Sequence, residues 1–213
     1  MKAIKLLVIA AVLAISAPAF SQDVSFGVKA GLNLASASIK MDGNKAEDIK
    51  ILPGLNVGVF ADFNFTDLLG LEAGLQYEQK GYKFTTKEFS EEIKDKYAIQ
   101  YLTIPVNLRA NIAVGDNTLY FLAGPTFGIG LSAKETVEYG DEKESESAKF
   151  GSGEDDDIKR MNLGLLFGAG FDLASNLGFR VTYDIGLSNL GPKGDSDNKV
   201  TTGTIGVALT YKF

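Results

Sequence analysis

Any chemistry in this chain would have to come from carboxylates, lysines and arginines. Its 213 residues include no His and no Cys. That removes the commonest general base, the commonest zinc ligand and any thiolate. Two groupings of charge remain. The first is a set of single charges at the polar positions of alternating stretches: Lys29, Asp62, Glu72, Glu78, Arg109, Asp172, Arg180, Asp184 and Lys212. Within it, Glu72, Arg109, Asp172, Arg180 and Asp184 read as a central charge network, since an arginine fork can hold two carboxylates at once. The second is the segment 134–159, with ten acids against four lysines. Its stretch Glu154-Asp155-Asp156-Asp157 offers hard oxygen ligands and reads as a weak cation loop. The spacing fits no EF-hand, and a solvated, mobile loop is the plainer reading.

Paired carboxylates can perform acid–base chemistry, glycoside hydrolysis included. Here they fall either among candidate ion pairs or on one charged loop. The glycine-spaced stretches Gly124–Gly130 and Gly164–Gly170 lack the strand-then-helix setting of a phosphate loop. The expectation is therefore no enzyme, no cofactor and no metal centre.

The elements that position these charges show as a rhythm of period two, which is a strand signal. Apolar residues alternate with polar or glycine residues in eight stretches: about 24–36, 54–65, 69–82, 97–114, 118–133, 160–173, 177–190 and 200–213. In the sixth, Met161, Leu163, Leu165, Phe167, Ala169 and Phe171 oppose Asn162, Gly164, Gly168, Gly170 and Asp172. Such strands are long for a soluble sheet and match the ~9–11 residues of a tilted membrane strand. Pro105 and Pro125 fall inside strands four and five and predict local bulges. The connections alternate in length. Tight turns follow strands two, four and six, around Thr66-Asp67, Gly115-Asp116-Asn117 and Ser175-Asn176. Longer loops are expected at about 37–53, 83–96, 134–159 and 191–199. This is the spacing of an outer-membrane barrel, with short periplasmic turns and long extracellular loops.

The first residues have the form of a signal peptide. Lys2 and Lys5 precede an apolar run, Leu6 to Ala17, too short to span a bilayer, and small residues follow. Cleavage after Ser21 would leave a barrel domain over 22–213, and cleavage after Ala19 is the alternative. No later run approaches the ~18 apolar residues of a transmembrane helix, so a membrane location requires closed strands. The net charge of −6 argues against nucleic acid. The fold class expected is all-β: an eight-stranded antiparallel up-and-down transmembrane barrel, monomeric, with both termini periplasmic. Tyr77, Tyr183, Tyr211 and Phe213 read as interfacial girdle residues. A soluble periplasmic lipocalin-like barrel and a narrow pore are the alternatives. The glycine-rich polar face, with few charges, favours a packed lumen and a lipid-facing apolar side.

Particular motifs add a resemblance. The opening Phe26-Gly27-Val28-Lys29-Ala30-Gly31-Leu32-Asn33, the stretch Tyr101-Leu102-Thr103-Ile104-Pro105-Val106-Asn107-Leu108 and the end Tyr211-Lys212-Phe213 resemble the outer-membrane β-barrel proteins of Bacteroidetes, whose better-known relatives are PorT-like. The resemblance implies an eight-stranded barrel. It also implies that Phe213 belongs to the signal read by the outer-membrane assembly machinery. Expected partners are outer-membrane lipid, that machinery and other envelope proteins met through the extracellular loops.

Overall fold

Strands form where the alternation places them. The computed structural model describes residues 23–45, 49–88, 91–139, 142–151, 156–191 and 199–213. Eight strands make the wall: β1 (Asp23–Met41), β2 (Leu52–Asn64), β3 (Leu69–Glu88), β4 (Glu91–Val114), β5 (Asn117–Tyr139), β6 (Met161–Asp172), β7 (Leu177–Gly186) and β8 (Lys199–Lys212). Each pairs antiparallel with its sequence neighbour, and β8 returns to β1 along a ladder from Gly27↔Lys212 to Lys40↔Lys199. The Phe213 N–H donates to the Phe26 carbonyl at 2.9 Å and finishes the seam. Closure leaves no open edge in the ring, the condition for strands in lipid.

Side chains sort by parity. Outward residues are apolar and exposed, among them Phe26, Leu32, Val59, Leu108, Phe179, Val181 and Leu209. Inward residues are polar and buried, among them Asn33, Asp62, Glu72, Gln76, Asn107, Arg109 and Arg180. A soluble barrel that holds an apolar ligand would show the opposite sorting, so the lipocalin-like alternative falls. Tyr77 lies near the middle of β3 and Tyr183 toward the long-loop end of β7, with Tyr211 and Phe213 at the tight-turn end of β8.

The tight turns are fixed locally. Leu69 N–H donates to Thr66 Oγ1 at 2.9 Å across the β2–β3 turn. Asn176, between β6 and β7, takes a φ of 68°, a left-handed value that asparagine tolerates.

Three expectations about the long connections need correction. The stretches 83–88 and 91–96 are a continuation of the wall. β3 and β4 stay paired out to Glu88↔Glu91, with the cross-strand partners still in alternation. Much of 37–53 is also strand: β1 runs to Met41 and folds back at Asp42-Gly43, both at positive φ, onto Asn44–Lys45. Asp-Gly is a favoured two-residue hairpin turn because neither position opposes that backbone. The acidic segment is not a free loop in its described parts. β5 runs on to Tyr139, and Glu142–Ser147 pairs back along it from Lys134↔Ser147 to Tyr139↔Glu142. β3, β4 and β5 thus reach 20, 24 and 23 residues, well beyond the 10–14 of β2, β6, β7 and β8.

The prolines also behave differently from expectation. Pro105 faces Thr126 and Pro125 faces Leu165 with the register unbroken. Proline removes one donor but leaves the extended backbone intact. The bulge lies between Gln100 and Tyr101, opposite Leu131. It inverts parity on β5, so that Gly130 pairs with Tyr101 below it and Ala133 with Ile99 above it.

Candidate functional site

Among the described residues, charged side chains meet out of water in the interior. At the tight-turn end, Arg180 grips Glu72 in a two-pronged pair, Nη1–Oε1 2.7 Å and Nη2–Oε2 3.0 Å. Arg109 adds a third contact to the same carboxylate, Nη1–Oε2 3.3 Å, lies 3.5 Å from Asp62, and reaches Asp172 through Nη2 at 2.6 Å. Lys212 Nζ bridges Asp62 and Asp172 at 2.7 and 2.8 Å. Tyr120, wholly buried, ties the two arginines together. Its ring lies 3.6 Å from the Arg109 guanidinium, and its hydroxyl accepts from Arg180 Nε at 3.1 Å. Phe60 offers Arg180 a second ring at 4.8 Å. A guanidinium over a desolvated aromatic face gains on the order of 2 kcal/mol.

Asp184 does not join this network. It belongs to a second cluster nearer the long loops, where Lys80 pairs with Asp184 at 2.6 Å and Glu78 at 3.0 Å. Thr126 donates to Asp184 at 3.2 Å, Thr103 to Glu78 at 3.0 Å, and Gln76 also donates to Glu78. Lys29 is buried within electrostatic reach of both Glu72 and Glu78. Among the described residues the lumen therefore sets five cations (Lys29, Lys80, Arg109, Arg180, Lys212) against five carboxylates (Asp62, Glu72, Glu78, Asp172, Asp184). Burying charge is tolerable only on such terms.

Sequence reasoning missed Lys80, although it continues the parity of Gln76 and Glu78. Tyr120 and Phe60 share the inward parity, but nothing in the sequence assigns them to the arginines. A guanidinium beside an aromatic ring across a barrel has no linear spacing to betray it.

Above the second cluster, residues 148–151 and 156–160 fold inward as a lid. Ala148, Phe150 and Ile158 pack against Ile99, Tyr101 and Ala133, the inward residues at the bulge. The Phe150 ring lies over Gly130, where a Cβ would come within 2.5 Å of it. Gly130 N–H donates to the Arg160 carbonyl at 2.7 Å, and Lys159 N–H to the Leu190 carbonyl at 2.8 Å. Of the weak cation loop, Glu154 and Asp155 lie outside the described residues. Asp157 has a structural contact, accepting from Lys149 N–H at 2.8 Å. Asp156 sits against Gly151. Among the described residues, no three acids come together as a metal site would need. The opposite mouth is an open vestibule of about 640 Å³, floored by Arg109, Asp172 and Lys212 and rimmed by Asn64 and Asn111.

Closed strands, an apolar outer band and a neutralised, side-chain-filled lumen define a small transmembrane β-barrel. The profile of the family described as outer membrane protein beta-barrel domain matches residues 20–191. The chain belongs to that family, and its place is the outer membrane. Solved structures similar to it include Ail, the attachment invasion locus protein of Yersinia pestis, in complex with the heparin analogue sucrose octasulfate. Ail is 17% identical, with 90% of this chain and 99% of that chain covered and a TM-score of 0.42. Neisserial surface protein A is 16% identical, with 90% and 99% covered and a TM-score of 0.45. OprG from Pseudomonas aeruginosa is 18% identical, with 90% and 97% covered and a TM-score of 0.46. No curated protein sequence matches the chain.

Proposed function

We propose that this chain is a monomeric outer-membrane barrel with a structural or interaction role, which neither conducts ions nor catalyses a reaction. The observation that carries the reading is the Glu72–Arg180–Arg109–Tyr120 cluster, whose members are at most 2% exposed and meet across the bore. A lumen the width of eight strands is filled by its own side chains. Carboxylates already engaged by two arginines are poor acids and bases. Residues 1–21 act as a cleaved signal peptide, and the tight turns and both termini face the periplasm, as in barrels of this kind. Phe213, 72% exposed at the end of β8, is the residue offered to the assembly machinery. The raised wall of β3, β4 and β5, with the acidic hairpin Glu142–Ser147, is the surface offered to other envelope proteins. The motif likeness to the PorT-like barrels of Bacteroidetes favours the same class of role.

Purified protein in a planar bilayer tests the reading. The expected result is no unitary conductance at neutral pH, and steady channel activity would overturn it in favour of a narrow pore. Crosslinking in cells from a photoreactive residue at Lys143, which is exposed on the hairpin, would show whether an envelope protein lies there.

A further inference from the structure

The outward band is ridged, and a notch interrupts it on β1. Ala30 is the small residue of β1 on the lipid side, set between Val28 and Leu32. Its ladder partners are Val57 on β2 and Leu209 on β8. Val28 lies between Val59 and Tyr211 in the same way. The outcome is a groove of about 460 Å³ across β2, β1, β8 and the start of β7, almost wholly apolar in its lining. Its walls stand proud: Val59 is 54% exposed and Leu209 69%. It runs from mid-band to the tight-turn end, where Tyr211 and Leu177 flank it. The volume is in the range of small-molecule sites.

We propose that this groove is a binding site for one acyl chain of a membrane glycerophospholipid. The hydrophobic effect does not select it, because every part of the band is already in hydrocarbon. Packing does. A chain lying over Ala30 meets ridges on both sides, whereas one on a convex stretch meets the wall from a single side, and dispersion contacts sum over every facing pair. The groove is continuous with the lipid-facing band, so it needs no other occupant. Tyr211 gives polarity to its open end. Its half-exposed phenol lies at the rim, where an aromatic girdle meets headgroups. The choice of a glycerophospholipid rests on the orientation proposed above, which puts the open end in the periplasmic leaflet.

The test uses the full-length mature barrel in symmetric vesicles of phosphatidylethanolamine and phosphatidylglycerol. A trace of phosphatidylethanolamine carries a diazirine in the middle of one acyl chain. After photolysis, adducts are mapped by peptide. The expected result is at least a severalfold excess of label on 28–30, 57–59 and 207–211 over the rest of the band. Ala30→Leu fills the notch and should remove that excess, while its folded, heat-modifiable gel band remains. Label spread evenly around the barrel would overturn the proposal, as would an excess that survives Ala30→Leu. Disulfide dimers formed in high yield by Ala30→Cys would also overturn it, assigning the groove to a second copy of the chain. Symmetric vesicles make the labelling independent of sidedness, and heat-modifiability reports insertion separately. A wrong orientation and a wrong groove therefore give different results.

Discussion

Glu72 is the residue on which the interior depends. It sits at 2% exposure between Arg109 and Arg180 and neutralises part of each. Glu72→Gln keeps the shape but leaves two buried guanidinium groups short of a carboxylate. Breaking one side of a buried pair costs about 3–5 kcal/mol, so urea unfolding followed by heat-modifiable mobility should show a loss of that size. Gly31 matters for a different reason. A Cβ there would lie 2.1 Å from the Val207 carbonyl oxygen and 2.5 Å from the Ala208 Cα, both backbone of the closing strand. Backbone in a ladder cannot step aside as a side-chain tip can. Gly31→Ala should prevent closure of β8 on β1, with loss of the fast-migrating folded band. Gly43 is the useful contrast. It has nothing within 4 Å, only a φ of 79°. Gly43→Ala should cost about 1–2 kcal/mol of backbone strain and leave the barrel closed.

At the scale of elements, the lid decides what the long-loop mouth can do. Its hold on the barrel is apolar and small: Ala148, Phe150 and Ile158 against Ile99, Tyr101 and Ala133. Phe150 is the largest of the three lid side chains, and Arg160 lies over its ring at 5.3 Å. Phe150 is partly buried, and since truncating a fully buried aromatic costs about 3–5 kcal/mol, its loss should remove a large share of what holds so short a segment. Phe150→Ala should therefore release the lid and leave the ring standing. The measurement is limited trypsin digestion of vesicle-bound protein. Cleavage at Lys149 and Lys159 should rise at least tenfold, with the midpoint of barrel unfolding almost unchanged. Equal protection of wild type and variant would show that the lid is held elsewhere, for instance through the Lys159–Leu190 backbone bond.

For the whole molecule, the controlling relation is that solvent lies outside the barrel as lipid and charge lies inside in pairs. A charge moved to the outer face should be costly in proportion to depth. Val181, in the middle of β7 and 48% exposed, is a suitable site, and Val181→Arg should destabilise the inserted barrel by about 2–4 kcal/mol. The same substitution near the rim, Leu177→Arg, should cost about 1 kcal/mol or less. Equal penalties in reversible folding into vesicles would contradict a lipid-facing band. The sequence by itself determined the eight strands, their faces, the tight turns and the closed class of barrel. Those follow from a period of two and from turn residues, which are local properties of the chain. It also exposed most of the inward charges, because parity alone assigns a side chain to a face. It could not say which charges meet. Asp184 pairs with Lys80 rather than with the arginines, and Arg109 finds Tyr120, because shear and register bring residues from distant strands to one level of the lumen. The loops were misjudged for a related reason: polar composition suits a solvated loop and a wall standing in water equally well. Only tertiary pairing made 83–88, 91–96 and 134–139 into strands. The parity inversion at the bulge, the inward lid and the notch over Ala30 were likewise decided there, since each depends on what three or four strands present side by side.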